Sequence, residues 1–151
     1  MVKKLLTLPP VLMVGGGVLI ALWGLRFGAT STPILTFCGI GFLAVAIGLG
    51  LSASRAFQQH KTPILPDQTA QSLITTGAFS VSRNPIYLAM ALILLALGAL
   101  FGTAICIPVI LAFVQIVTRT HIEPEEAMLK QEFPTDADHY FNQTPRWFGP
   151  I

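Results

Sequence analysis

The sequence predicts an all-α integral membrane protein. The expected fold is a four-helix bundle with both termini cytoplasmic, a cytoplasmic connecting segment and a short helical C-terminal tail. Three observations carry this expectation. Hydrophobic residues make up 53% of the 151-residue chain and charged residues 11%, where soluble domains carry roughly 25% charged. The apolar residues gather into runs long enough to cross a bilayer, which takes about 20 residues as a helix. The basic residues fall almost entirely on one side of those runs. So few polar groups cannot cover a soluble protein of this size. A net charge of +2 without a basic run gives no footprint for nucleic acid.

The first span is read over residues 5–25, with Pro9-Pro10 near its start, and the second over 33–52, without a charge inside it. Between Arg83 and Arg119 lie 35 uncharged residues. As one helix they would measure about 52 Å, against a hydrocarbon core of ~30 Å. The stretch is therefore divided at Phe101-Gly102-Thr103 into a tight hairpin of spans 85–101 and 103–119. All four spans are read as one membrane domain, residues 1–151. A secretory signal over the first 30 or so residues, cleaved near Gly28–Ser31, is the competing reading. Its apolar run is longer than the usual ~7–15 residue core.

Four spans place Lys3, Lys4, Arg55, Lys61, Arg83, Arg119, Lys130 and Arg146 on one side and Arg26 alone on the other. This is the positive-inside pattern, so the shared side is cytoplasmic. Glycines at 15–17, 39, 41, 48 and 50 are expected to let helices approach closely. Cys38 and Cys106 are read as small buried packing residues. Pro108, in mid-span, is expected to kink the last helix, and Gln115 to face the bundle.

Two segments hold nearly all the polar chemistry. Residues 53–84 mix Pro63, Pro66 and Gly77 with Ile64, Leu65, Leu73, Ile74 and Phe79, which favours an ordered segment at the membrane surface. The tail, 120–151, carries a formal charge of −4 against +6 for residues 1–119, so it is expected to fold back on the cytoplasmic face. Asn84-Pro85 has the form of a helix start. Pro124 with Glu125 and Glu126 has the form of another, with acids at the positive end. His121 and Glu125 stand four apart, but no third ligand is spaced to complete a metal site. Both starts fall at the same membrane face, so a hairpin would bring Arg83 within reach of Glu125 and Glu126. Such a site has a positive pole for a carboxylate and a negative pole for a cation or hydroxyls.

At this point the sequence resembles a family. Residues 73–87, LITTGAFSVSRNPIY, followed by Glu125-Glu126, Leu129, Phe133, Tyr140, Pro145, Arg146 and Trp147, look like the two signatures of the isoprenylcysteine carboxyl methyltransferase and phospholipid methyltransferase superfamily. The likeness covers roughly residues 60–148. It departs from the pattern at Asn84, where many members have His, at Pro134 in place of Gly, and at Ala137 in place of Tyr. The resemblance implies a membrane enzyme that uses S-adenosylmethionine on a lipophilic acceptor. It implies that Gly77, Asn84, Pro85, Tyr87, Glu125 and Glu126 line the cofactor pocket. Arg83 and Arg146 would meet the acceptor, and Arg83 and Glu126 would be catalytic, Glu126 taking the proton of an amine acceptor. The acceptor would be an isoprenylcysteine-like carboxylate, a thiol or a lipid amine. The alternatives are an NADPH-dependent membrane reductase on the same scaffold and a non-catalytic membrane scaffold.

Overall fold

The computed structural model describes residues 8–27, 31–60 and 72–149. Lys3, Lys4, Lys61, residues 28–30 of the candidate cleavage zone, and the Ile64-Leu65 pair lie outside the described residues. Among the described residues the chain is helical without strands: α1 (Pro9–Phe27), α2 (Pro33–Gln59), a 3₁₀ turn Gly77–Ser80, α3 (Pro85–Leu100), α4 (Cys106–Val117), a π turn Thr118–Ile122, α5 (Glu123–Glu132) and α6 (Pro134–Phe141). Three helices among the described residues are long and apolar enough to cross a membrane: Pro9–Phe27, Pro33–Gln59 and the continuous run Cys106–Glu132. The fourth apolar helix, Pro85–Leu100, is 16 residues long, or about 24 Å, short of the ~30 Å hydrocarbon core.

The chain divides into two compact units. One takes the described residues up to Ile47 together with Ala89–Val117. Its helices meet where side chains are missing. A Cβ on Gly16 of α1 would lie 2.8 Å from Val109 of α4 and 3.3 Å from Leu94 of α3. One on Gly39 of α2 would lie 3.1 Å from the Ala96 carbonyl of α3. Gly15 and Gly41 face open space, so only part of the glycine pattern serves close approach. Ile20 and Leu94 are fully buried in this unit.

The hairpin expected at Phe101-Gly102-Thr103 is present. Gly102 takes a left-handed φ of 57°, the Gly102 N–H donates to the Ala99 carbonyl and the Thr103 N–H to the Gly98 carbonyl. That is a Schellman ending, and glycine suits its left-handed position. The next helix starts at Cys106, three residues later than expected. Pro108 therefore stands in the first turn, where its missing N–H leaves no helical bond unmade. The helix changes character further on instead. In a regular α-helix the ring of Pro124 would press on the carbonyl of residue 120, and the wider π turn just before it lets the helix run on to Glu132. Cys106 is buried against Gly98, as expected, whereas Cys38 is exposed. Gln115 is exposed as well, because the buried stripe of α4 runs through Cys106, Phe113 and Val117.

The second unit takes Gly48–Leu88 and the described residues from Thr118 onward. Here α2 continues past Ser52, the expected end of the second span, through Arg55 to Gln59. The tail is two helices rather than one. Phe133, held before Pro134, leaves the helical region at φ −132°, ψ 64°, as residues preceding proline do. Pro134 then opens α6, which suits a first helical position. The tail folds onto residues 79–84: Tyr140 Oη donates to the Phe79 carbonyl at 2.6 Å, and the Arg83 N–H to the Pro145 carbonyl at 2.9 Å.

Candidate functional site

Asn84 begins α3. Its carbonyl accepts the first helical bond, from the Leu88 N–H at 2.9 Å, while its side-chain nitrogen donates to the Arg146 carbonyl at 2.9 Å. Ser82 Oγ donates to the same carbonyl at 3.2 Å and accepts from the Asn84 N–H at 3.1 Å. Both side chains are buried, so these bonds replace lost water contacts and fix the tail backbone at Arg146. Position 84 thus needs a side-chain N–H donor, which Asn supplies in place of the expected His.

Once the backbone is so fixed, charges of opposite sign meet. Glu126 Oε1 accepts from Arg146 Nε at 3.0 Å and lies 3.1 Å from a terminal nitrogen of Arg83. Its Oε2 accepts from Arg146 Nη2 at 2.6 Å. Arg146 therefore grips Glu126 as a two-pronged fork, the geometry that guanidinium offers and an ammonium does not. The side chains of Arg83 and Glu126 are 15% and 13% exposed, so water screens their attraction weakly. Arg83 lies over the Phe141 ring, 4.5 Å from its centroid, a cation–π contact.

One residue away on α5, Glu125 Oε1 accepts from Tyr87 Oη at 2.7 Å. The Tyr87 ring lies 6.3 Å from that of His121. Glu125 lies beyond the apolar stretch of its helix, which ends at Val117. Burial pushes its carboxyl above the ordinary carboxylate value, and the Tyr87 hydrogen bond and His121 pull it part of the way back. Burial likewise raises the Tyr140 phenol, with Arg83 opposing. The hydrogen bond to Glu126 raises Arg146.

The structure brings together Arg83, Asn84, Tyr87, Glu125, Glu126 and Arg146. Pro85 is fully buried and bears on the site only by starting α3. Gly77 takes part in none of these contacts. Its φ is +64°, a conformation that glycine adopts freely, and it faces Ser52, whose Oγ accepts the Ala78 N–H at 3.1 Å. Two contributors were not singled out from sequence. Ser82 sits inside the SRN triplet, a usable signal. Phe141 offered no signal beyond being aromatic near the end of the chain.

Arg83 meets Glu126, as expected of a hairpin that brings the two helix starts together, and the model of the phospholipid methyltransferase family matches residues 34–136, more than half of the chain. The chain belongs to the phospholipid methyltransferase family. No curated protein and no solved structure matches it. Family membership together with the apolar helices makes it a membrane methyltransferase by kinship. The family match ends at residue 136, so Tyr140 and Arg146 stand beyond it and are tied to the family region by hydrogen bonds and, for Arg146, by its ion pair with Glu126.

Proposed function

We propose that the protein is an S-adenosylmethionine-dependent methyltransferase acting on a lipophilic acceptor at the cytoplasmic membrane face. The acceptor is an isoprenylcysteine-like carboxylate, a thiol or a lipid amine. The observation that carries this reading is the clamp of Glu126 between Arg83 and Arg146, one residue from the Tyr87–Glu125 pair. Two atoms favour a ligand with both charges. Arg83 Nε is buried with no hydrogen-bond partner among the described residues, and a buried donor left unpaired is costly. Glu125 spends one oxygen on Tyr87, which leaves the other to accept.

S-adenosylmethionine, when bound, supplies an electrophilic methyl group together with a carboxylate, an ammonium and ribose hydroxyls. Arg83 suits the carboxylate, and Glu125 suits the ammonium or the hydroxyls. Tyr87 fixes the rotamer of Glu125. The residues contribute by holding both partners in line and by excluding water. Glu126, first in view as a proton acceptor for an amine, already accepts from Arg146 through both oxygens and is ion-paired with Arg83. Its role here is to hold Arg83 and Arg146 in place, and Glu125 is the carboxyl with an oxygen left for a proton. The excess of basic residues on the side of the 53–84 segment and the tail supports cytoplasmic termini.

The test is calorimetry of the detergent-purified protein with S-adenosylhomocysteine. Binding is expected, with loss in Glu125→Ala and in Glu126→Ala. Heats that neither substitution alters would remove the site. Binding of NADPH instead would favour a reductase, and binding of neither a scaffold.

A further inference from the structure

The Arg83 side chain is held by one group that can accept from it and by one that cannot. A guanidinium carries its N–H groups in its own plane and none on its faces. Glu126 Oε1 lies 3.1 Å from a terminal nitrogen of Arg83. Phe141, the last residue of α6, meets the group differently: Arg83 Cζ stands over its ring, 4.5 Å from the centroid. A ring face attracts a cation through its quadrupole, so it can hold the guanidinium without spending an N–H group. Arg83 Nε is buried with no hydrogen-bond partner among the described residues. A carboxylate in place of the ring would accept from such a donor and occupy it. The charges around the ring are disposed to the same end. Asp138, one turn before Phe141 on α6, pairs with Lys130 at 3.1 Å, and the Lys130 ammonium lies 5.5 Å from the Phe141 ring. Both oxygens of Glu126 accept from Arg146. The ring itself is carried on a fixed helix end: Tyr140 Oη donates to the Phe79 carbonyl, and the Asn142 N–H donates to the Asp138 carbonyl at 3.1 Å.

We propose that Phe141 is a positioning residue: its ring steadies the Arg83 guanidinium and leaves Nε–H to donate to the carboxylate of the bound cofactor. Phe141 thereby sets how strongly the site prefers a ligand with that carboxylate over one without it. The inference rests on the reading of Arg83 as the contact for the cofactor's carboxylate. It adds to that reading a residue beyond position 136, where the family match ends. Phe141 acts through Arg83 and is not itself assigned a contact with the ligand.

The test is calorimetry of the full-length, detergent-purified protein with two ligands: S-adenosylhomocysteine, and S-adenosyl-3-thiopropylamine, the same molecule without its carboxylate. The parent is expected to bind the first about tenfold or more tighter, as a charged hydrogen bond implies. Phe141→Leu keeps an apolar side chain and removes the ring. It is expected to weaken S-adenosylhomocysteine about fivefold or more, the worth of a cation–π contact. Its affinity for the thiopropylamine should stay that of the parent, so the ratio of the two affinities narrows. Phe141→Tyr keeps a ring and should restore the parent's ratio. Should Phe141→Leu not fold, Phe141→Met takes its place, and failure of both to fold would make the ring a structural element and overturn the proposal. Equal losses for the two ligands would mark the ring as packing only, and a parent that binds both alike would mean that Arg83 does not meet the carboxylate; either result overturns the proposal. A parent that binds neither ligand would sink the methyltransferase reading and this inference with it. A parent that binds S-adenosylhomocysteine, beside a Phe141→Leu protein that binds it as tightly, would sink this inference alone.

Discussion

The two compact units are held by opposite means. In the unit of residues up to Ile47 with Ala89–Val117, the specific contacts are places where a side chain is missing, as at Gly16, Gly39 and Gly98. In the unit of Gly48–Leu88 with the residues from Thr118, they are hydrogen bonds and ion pairs that converge on Glu126 and on the carbonyl of Arg146. An apolar environment gives no hydrophobic preference for one neighbouring helix over another, so small residues and van der Waals packing select the partner. A polar segment can instead be selected by paired donors and acceptors, each costly to leave unmade. Substitutions in the first unit should therefore move stability and spare ligand affinity. Those in the second should move both.

The largest effect is expected at the clamp. Glu126→Ala leaves two guanidiniums facing each other without their shared anion. Removing one partner of a largely buried pair costs about 3 kcal/mol or more. Glu126→Ala should lower the unfolding midpoint in detergent and abolish S-adenosylhomocysteine binding. Arg146→Lys should fall between parent and Glu126→Ala, because an ammonium cannot reproduce the fork. A Glu126→Ala protein as stable as the parent would erase the contrast between the units.

Next comes Gly98. A Cβ there would overlap both Cβ and Sγ of Cys106, so Gly98→Ala should destabilise by about 1–3 kcal/mol, the usual cost of overpacking. Cys106→Gly added to it should restore most of the loss. Below its own melting point the Gly98→Ala protein should bind S-adenosylhomocysteine with the parent affinity. A loss of affinity in the folded variant would mean that the first unit shapes the site, and would break the comparison. Tyr140→Phe is smaller. It removes the 2.6 Å bond to the Phe79 carbonyl and should cost about 1–2 kcal/mol, read as a shift of the unfolding midpoint.

The same contrast explains what could be read from sequence. Composition and run length gave the helical membrane character, and a single left-handed glycine gave the hairpin. The convergence of Arg83 with Glu126 could be anticipated because both stand at helix starts on the same side of that hairpin. The limits of the helices could not. Where α2 ends depends on Arg55 and Gln59 being tolerated at the polar end of a helix, and where α4 ends depends on the π turn absorbing Pro124. Neither is a property of hydrophobic periodicity. The fork of Arg146 on Glu126 was also out of reach, because it is aimed by Ser82 and Asn84 through a backbone carbonyl more than 60 residues away. The partner of a glycine is equally invisible, which is why Gly16 and Gly41 look alike in sequence and differ in surroundings.

The smallest effect on stability is expected at Glu125, where the sign is informative. Burial raises its carboxyl above the ordinary value of ~4.3, so the charged form is the costly one in the folded protein. The favourable contribution is present below the unfolded-state value and is lost as pH rises through the folded-state value. Glu125→Gln keeps an acceptor for Tyr87 Oη and removes the charge. It should therefore melt slightly higher than the parent at neutral pH, with the gap closing as pH falls toward 4. The same variant should bind S-adenosylhomocysteine weakly, since the proposed contact to an ammonium needs the anion. A stability gain coupled to a binding loss is expected of a group held for a ligand rather than for the fold. A residue serving only structure would lose stability on substitution, and melting curves across that pH range would show it.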